Sequence, residues 1–144
     1  MESKTRIAGM ETESEKGNIA GIIVAHGKLG QELLQTVEVI VGRVSDLHAL
    51  SGSELCDEDV VSAIRKIIAE HEGHRALVFV DYFGGSCCIN ALKAAHGLKD
   101  VRVISGVNLP MLLDFVTKRD YYDFGEMISH IVARGKDSVK VVDF

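Results

Sequence analysis

The stretch that decides the fold is Ile19-Ala-Gly-Ile-Ile-Val-Ala25, a continuous apolar run that leads directly into His26-Gly27. An apolar run without polar alternation, rich in β-branched side chains, is typical of a strand buried on both faces of a parallel sheet. Apolar residues then recur at helical spacing from Leu29 to Val41, which predicts a helix after a tight turn. His26 is therefore predicted at the carboxyl end of a central strand, where open α/β sheets gather ligands and reactive groups.

A second stretch repeats this layout. The apolar run 76–80 ends in Asp81, and Tyr-Phe-Gly-Gly-Ser86 connects it to a helical pattern over 87–96. Alternation of strands and helices predicts an α/β fold: a three-layer, open, mostly parallel sheet with helices on both faces. The remaining predicted elements are strands over 44–50 and 101–105, a helix capped by Ser53 or Asp57 and ending near Gly73, a helix with Pro110 in its first turn, and a helix over 122–134 closed by Gly135.

The two ends of the chain differ from this core. Residues 1–18 are rich in Glu, Lys, Ser and Thr without periodicity, which predicts a flexible charged leader. Residues 138–144 alternate in their first half, which predicts an edge strand or pairing between subunits. The remainder, 19–144, is predicted to be a single domain.

Composition excludes several classes of protein. The 144 residues are 47% hydrophobic and 26% charged, with a formal charge of −5. No apolar run approaches the ~20 residues of a bilayer span, and no basic cluster indicates nucleic-acid binding. Three cysteines without zinc or disulfide spacing, and no signal sequence, favour the reducing cytoplasm.

The two strand ends together indicate a chemistry. If their strands are neighbours, the Asp81 carboxylate can hold one imidazole nitrogen of His26 and leave the other as a nucleophile. Such a histidine could accept a phosphoryl group whose oxygens need hydrogen-bond donors. Gly84, Gly85, Ser86 and the amides of the following helix could supply them. The chain has no Walker-type lysine loop, so the expected donor is a phosphorylated protein rather than a nucleotide.

Other polar or sulfur residues fit structural roles better. His71-Glu72-Gly73-His74 lacks the i, i+4 spacing of helical zinc ligands and is interpreted as a solvated turn. The adjacent Cys87 and Cys88 are interpreted as helix packing near the site, because buried cysteine behaves as a small apolar residue. Neither a metal site nor a cofactor is predicted.

Three motifs carry a family resemblance: Ile-Ile-Val-Ala-His-Gly (22–27), Asp-Tyr-Phe-Gly-Gly-Ser (81–86) and Gly-Val-Asn-Leu-Pro-Met-Leu (106–112). Together they resemble the mannose-type (mannose/fructose/sorbose) enzyme IIA domain of the bacterial phosphoenolpyruvate-dependent sugar phosphotransferase system. The resemblance runs from about Ile19 to the C-terminus. One departure is Cys87, where members of the family commonly have proline.

The resemblance implies a cytoplasmic phosphotransferase. The residue that matches His26 accepts a phosphoryl group from the histidine phosphocarrier protein and passes it to a IIB component for sugar uptake. Asp81 orients the imidazole, and Ser86 with neighbouring amides contacts the phosphoryl group. The resemblance also implies a homodimer that exchanges its C-terminal strand, and only indirect membrane contact through transporter subunits. Three alternatives stay open: a regulatory phosphocarrier without a transport role, the phosphocarrier subunit of a dihydroxyacetone kinase, and a non-catalytic α/β binding module.

Overall fold

Strands and helices alternate along residues 16–144, the part of the chain described by the computed structural model. Most boundaries lie within a few residues of the predicted ones, although β2 begins three residues later than expected and α2 ends at Glu70, before Gly73. The elements are β1 (Ile19–Ala25), α1 (Leu29–Val41), β2 (Leu47–Ser51), α2 (Asp57–Glu70), β3 (Arg75–Val80), α3 (Ser86–Ala95), β4 (Val101–Ser105), α4 (Leu109–Lys118), a 3-10 turn (Arg119–Tyr121) and α5 (Phe124–Asp137).

The sheet positions the two strand ends singled out in the sequence. Its strand order is β2-β1-β3-β4, and each neighbouring pair is parallel. The chain passes from β1 to β2 on one side and then returns to β3 on the other, so the order reverses at β1 and β3. Open α/β sheets bind their ligands at such a switch point, beyond the carboxyl ends of the strands. His26 and Asp81 directly follow these two strands.

Helices cover both faces of the sheet, which confirms the three-layer α/β fold. Because side chains alternate along a strand, Val24 of β1 packs into one core with α2 and α3, while Ile23 packs into a second core with α1, α4 and α5. The side chains of β1 are buried throughout, as expected for a central strand. Within residues 16–144, no helix is both long and apolar enough to span a bilayer.

Gly21 in β1 allows a close approach of α4 to the sheet. A Cβ at this position would lie 2.6 Å from Cε2 of Phe115 and 2.8 Å from Cδ1 of Leu47. Phe115 is fully buried and also packs edge-to-face on Phe79, so its ring has little room to move. A side chain larger than hydrogen at position 21 would therefore strain the core.

We expect Gly21→Ala to lower the free energy of unfolding by about 1–3 kcal/mol, the usual effect of overpacking a core. Urea titration followed by circular dichroism measures the loss. Gly125→Ala is the matched control, because a Cβ there meets only Asp123 Oδ1 at 3.8 Å. Because alanine favours a helix over glycine, the control is expected to raise the free energy of unfolding by about 0.5–1 kcal/mol. Equal effects of the two variants would contradict the packing role of Gly21.

Gly135 does not end the last helix, contrary to the prediction. Helix α5 continues to Asp137, and Gly135 is buried within it. A Cβ at Gly135 would lie 2.6 Å from Cε of Met111 on α4. The glycine therefore serves a close helix–helix approach, which a sequence pattern cannot distinguish from a helix stop.

The predicted C-terminal strand is not formed within this chain. Ser138 is the C-cap of α5, and the residues after it belong to no helix or strand. Four apolar side chains of this segment are exposed: Val139, Val141, Val142 and Phe144. An edge strand needs a partner strand to donate and accept its hydrogen bonds, and within residues 16–144 this segment pairs with none. Exchange of this strand in a dimer stays a prediction.

The start of the described chain contacts the start of α5. Lys16 forms an isolated antiparallel bridge with Asp123, and the amide of Gly17 donates to the carbonyl of Tyr122 at 3.2 Å. Asp123 caps α5 in a reciprocal capping box with Glu126. These contacts involve the last residues of the predicted leader; residues 1–15 lie outside the described part, and the leader and the single-domain boundaries stay predictions.

Arg119 is a buried cation that ties three segments together. Its guanidinium donates to the carbonyls of Ile19 at 3.2 Å and Asp46 at 3.1 Å, and to that of Ser45. It also lies 5.2 Å from the ring centroid of Phe115. Burial lowers the pKa of Arg119, although the charges of Asp120 and Asp46 oppose this effect. The side chain thus links the start of β1 to the loop before β2.

Candidate functional site

His26 is held from both its backbone and its ring by one carboxylate oxygen. Oδ2 of Asp81 lies 2.8 Å from Nδ1 of His26 and accepts the backbone N–H of the same residue at 3.0 Å. Oδ1 accepts the backbone N–H of Tyr82 at 3.0 Å. The Asp81 side chain is 11% exposed, whereas that of His26 is 42% exposed. The imidazole is therefore fixed at its base and open to solvent at its edge.

The surroundings of Asp81 favour its ionised form. Burial alone raises the pKa of Asp81, but the hydrogen bonds and charge of His26, together with the amide of Tyr82, outweigh it, so that the pKa lies below the ordinary value of 3.8. An ionised carboxylate only accepts hydrogen bonds, so the short Nδ1–Oδ2 contact requires a proton on Nδ1. The lone pair of a neutral ring is then on Nε2.

This lowered pKa predicts a pH-dependent loss of stability. A carboxyl with a lower pKa in the folded state stabilises the fold above its unfolded pKa of about 3.8, and that contribution is lost as pH falls through the folded-state value. Asp81→Asn should therefore destabilise the protein at pH 7 but progressively less between about pH 4 and pH 2. Urea midpoints measured across this range test the expectation. A constant difference at every pH would contradict it.

The second ring nitrogen faces the start of α3. Nε2 of His26 lies 3.2 Å from Oγ of Ser86, the first residue of that helix. The ring of Tyr82 stacks on the imidazole with 5.7 Å between centroids. The amides in the first turn of a helix carry partial positive charge and lack partners within the helix. Nε2 thus points toward a region suited to an anion.

The Gly-Gly pair shapes the loop before this helix. Gly84 has a φ of +86°, a conformation that glycine adopts without strain. A Cβ on Gly85 would lie 2.5 Å from Cζ of Tyr82, so the tyrosine ring can cover His26 only because position 85 has no side chain. The structure therefore brings together His26, Asp81 and Ser86, with Gly84 and Gly85 in the loop that connects them.

Ser53 also reaches the site, which the sequence did not indicate. Its Oγ accepts the backbone N–H of Gly27, at the turn after β1. The prediction that Ser53 or Asp57 caps α2 is wrong: the N-cap is Cys56, and its side chain makes no capping hydrogen bond. Asp57 instead accepts a hydrogen bond from Asn90 at 2.9 Å. No local pattern distinguishes a serine that caps a helix from one that reaches across the sheet edge.

Cys87 is in direct contact with the imidazole of His26. Cys87 and Cys88 are buried in the core beneath α3, as predicted. In addition, Sγ of Cys87 lies 3.6 Å from Nδ1 of His26. Burial raises the pKa of the Cys87 thiol to about 11, and the charges of Asp81 and Asp57 contribute to this rise. The signal in the sequence was its position one residue after Ser86.

The histidines of the 71–74 turn bind backbone carbonyl oxygens, His71 across the fold and His74 locally. Nε2 of His71 lies 2.9 Å from the carbonyl oxygen of Asn18, and Nδ1 of His74 lies 3.1 Å from that of Ile68. His74 has a φ of +54°. These contacts agree with the interpretation of this segment as a turn. Asn18 precedes β1 and His26 follows it, so the turn lies at the opposite end of this strand from the site.

Comparison with known proteins identifies the family. Residues 20–132 match the family described as "PTS system fructose IIA component". The chain belongs to this family. Among its relatives, the mannose-specific EIIAB component of Escherichia coli (strain K12) is 29% identical over 129 residues, and the fructose-specific EIIA component of Bacillus subtilis (strain 168) is 27% identical over 128 residues.

The extent of these matches differs. The alignment with the Escherichia coli protein covers 86% of this chain but only 39% of that protein. The alignment with the Bacillus subtilis protein covers 85% of this chain and 86% of that protein. The chain thus spans about two fifths of the length of the first relative. A solved mannose/sorbose-specific IIA subunit from Enterococcus faecalis superposes with a TM-score of 0.78 at 25% identity, over 87% of this chain and 95% of that one.

Proposed function

We propose that this enzyme IIA family member is a phosphocarrier of a sugar phosphotransferase system. His26 accepts a phosphoryl group from the histidine phosphocarrier protein and passes it to a IIB component. The observation that carries the proposal is the imidazole oriented by Asp81, with an exposed edge whose Nε2 faces Ser86. Family membership supports the same reaction class.

The transfer follows from this geometry. The Nε2 lone pair of His26 attacks the phosphorus of the donor phosphohistidine, the new N–P bond forms, and the N–P bond to the donor imidazole breaks. The Nδ1 proton stays hydrogen-bonded to the Asp81 carboxylate, which stabilises the positive charge that develops on the ring. Transfer onward to the acceptor reverses these steps.

Donors near Nε2 would bind the phosphoryl oxygens. The Ser86 hydroxyl lies 3.2 Å from Nε2, and the amides of the Gly84–Ser86 turn and the first turn of α3 lie at the same strand edge. Fixed donors at the site of developing charge stabilise a transition state because they need no reorganisation. The reaction is a phosphotransferase reaction between proteins, and it uses neither a nucleotide nor a cofactor.

The proposed partners and the proposed class of sugar rest on the relatives in the same family. The Escherichia coli relative is named for mannose and the Bacillus subtilis relative for fructose. We infer that a IIB component accepts the phosphoryl group and couples it to uptake of a sugar of this group. Through these partners a cytoplasmic carrier would contact the membrane transporter only indirectly.

A homodimer would complete the fold at its C-terminus. Strand β4 is the last strand of the sheet, and the apolar residues of the 139–144 segment are exposed in a single chain. We infer that this segment pairs with the sheet of a second copy. Light scattering should give the mass of two chains, and deletion of 139–144 should give that of one. An unchanged mass after deletion would contradict strand exchange.

Direct phosphorylation tests the proposal. The protein is incubated with phosphoenolpyruvate, enzyme I and the cognate histidine phosphocarrier protein, and its intact mass is measured. One acid-labile phosphoryl group is expected on the wild type and none on His26→Ala. His130→Ala is the matched control, because His130 also contacts a carboxylate, at 2.8 Å from Asp114 Oδ2. A wild type without label would overturn the proposal and favour a binding module.

A further inference from the structure

His26, Asp81 and Cys87 form a cluster with a second chemical capacity. The nitrogen, oxygen and sulfur ligand atoms of these residues all lie within 4.8 Å of one another, and no other such group of three or more occurs among residues 16–144. The phosphocarrier reaction uses the first two residues and leaves Cys87 without a role. Imidazole, carboxylate and thiolate are the three ligand types that zinc prefers in proteins.

We propose that these three side chains bind one Zn²⁺ ion. Tetrahedral zinc with ligands at about 2.0–2.3 Å places neighbouring ligand atoms roughly 3.3–3.7 Å apart. The 3.6 Å between Cys87 Sγ and His26 Nδ1 matches this separation. The 2.8 Å between Nδ1 and Asp81 Oδ2 is a hydrogen-bond distance, so the carboxylate has to move away from the ring by about half an ångström when the metal replaces the proton.

The surroundings leave room for the metal at the end of the sheet. A Cβ on Gly52 would collide with Cys87 Sγ, so the glycine after β2 gives the sulfur its room at the end of the sheet. The Asp81 side chain is 11% exposed and Cys87 is buried, so the metal would lie on the Nδ1 side of the imidazole, beneath the edge that is open to solvent. Three protein ligands with a fourth, water-filled position are the arrangement of zinc sites that stay open.

Zinc and a phosphoryl group would exclude each other at His26. Binding releases the thiol proton of Cys87 to solvent, and the ring proton moves from Nδ1 to Nε2 because a neutral imidazole ligated through one nitrogen carries its proton on the other. The resulting site holds Zn²⁺, a thiolate, a carboxylate and a neutral imidazole, with no net charge. Nε2 then has no lone pair for attack on phosphorus. This consequence rests on the proposed function, whereas the zinc site itself does not.

Metal binding is tested first, without any phosphoryl donor. Titration with Co²⁺ should give a thiolate-to-cobalt charge-transfer band and the intense visible bands of a four-coordinate site, and Zn²⁺ should displace it stoichiometrically. Competition with a chromophoric chelator gives the affinity. Cys87→Ser and Cys87→Ala should lose the charge-transfer band and weaken zinc binding at least roughly tenfold.

The other two cysteines provide matched controls. Cys88→Ser alters the neighbouring buried thiol, and Cys56→Ser removes the exposed one; both should keep the band and the affinity. A wild type without the band, or a band lost in Cys56→Ser and kept in Cys87→Ser, would overturn the zinc site. Circular dichroism on each variant separates loss of a ligand from loss of the fold.

Phosphorylation is tested second, with purified phosphorylated histidine phosphocarrier protein as donor. One equivalent of Zn²⁺ should suppress labelling of the wild type at least roughly tenfold, and a chelator should restore it. Labelling of Cys87→Ser should be the same with zinc as without it. This variant also controls for any effect of zinc on the donor protein. If zinc binds through Cys87 but does not suppress labelling of His26, zinc and the phosphoryl group do not exclude each other. No labelling under any condition would instead refute the phosphocarrier function and leave the metal site standing.

Discussion

Asp81→Asn is expected to slow the phosphorylation of His26 by roughly a hundredfold or more, the effect of losing an orienting carboxylate next to a reactive imidazole. The carboxylate accepts three hydrogen bonds, two through Oδ2 and one through Oδ1. Asparagine has one acceptor oxygen and one NH2 group. In either orientation of the amide, its NH2 group therefore opposes an N–H of His26 or of Tyr82.

The chemical loss comes from the tautomer. When the amide NH2 faces Nδ1, the favoured neutral ring accepts through Nδ1 and carries its proton on Nε2, which removes the nucleophile. When the amide oxygen faces Nδ1, the amide of Tyr82 loses its acceptor and the loop beside the ring loses its attachment. The carboxylate charge that stabilises the ring during attack is absent in both orientations.

Rapid-quench measurement of labelling from the phosphorylated donor gives the rate. Asp114→Asn is the matched control, because Asp114 is also paired with a histidine but lies on α4, away from the strand ends. It should leave the rate within a factor of about two of the wild type, because it removes no group that touches His26. A rate for Asp81→Asn within about threefold of the wild type would show that the carboxylate does not orient the nucleophile.

The second large effect concerns stability. Arg119→Met should lower the free energy of unfolding by about 3 kcal/mol, because it removes hydrogen bonds from a charged donor, which contribute roughly 1.5–3 kcal/mol each. The three carbonyl acceptors of the guanidinium remain in place after the substitution. The desolvation cost of burying the guanidinium charge is absent in the variant, which offsets part of this loss of stability. Against a typical domain stability of about 5–15 kcal/mol, the change is large.

Equilibrium denaturation with urea measures this loss. Arg102→Met is the control, because Arg102 also donates to backbone carbonyls but is exposed, where water replaces the lost bonds. It should change the stability by no more than about 0.5 kcal/mol. Similar losses for the two variants would mean that Arg119 contributes only as a surface residue does.

The sequence was informative where one physical constraint dominated. A strand buried on both faces has to be apolar throughout, so 19–25 and 76–80 identified β1 and β3 directly. Because parallel strands end at the same edge, the residues that follow them, His26 and Asp81, could be paired from the order of residues alone. Their neighbouring placement is confirmed by the register of β1 against β3.

The sequence was uninformative where the structural role of a residue depends on a contact with a distant part of the chain or with another chain. Glycine is typical of a helix end, yet Gly135 lies within α5 because Met111 on another helix packs closely against it. The alternation after Ser138 describes a strand, but a strand forms only against a second edge. The proximity of Cys87 to His26 depends on where α3 begins and on the room left by Gly52, and neither is a local property of the cysteine.

The shared oxygen of Asp81 has a consequence for the kinetics of encounter. Because Oδ2 holds both the peptide and the ring of His26, rotation of the imidazole about its side-chain bonds is restricted before any partner arrives. The conformational entropy of the acceptor is therefore lost during folding instead of during the collision between two proteins. A donor needs only to bring its own phosphorus into line with a nucleophile that is already aimed.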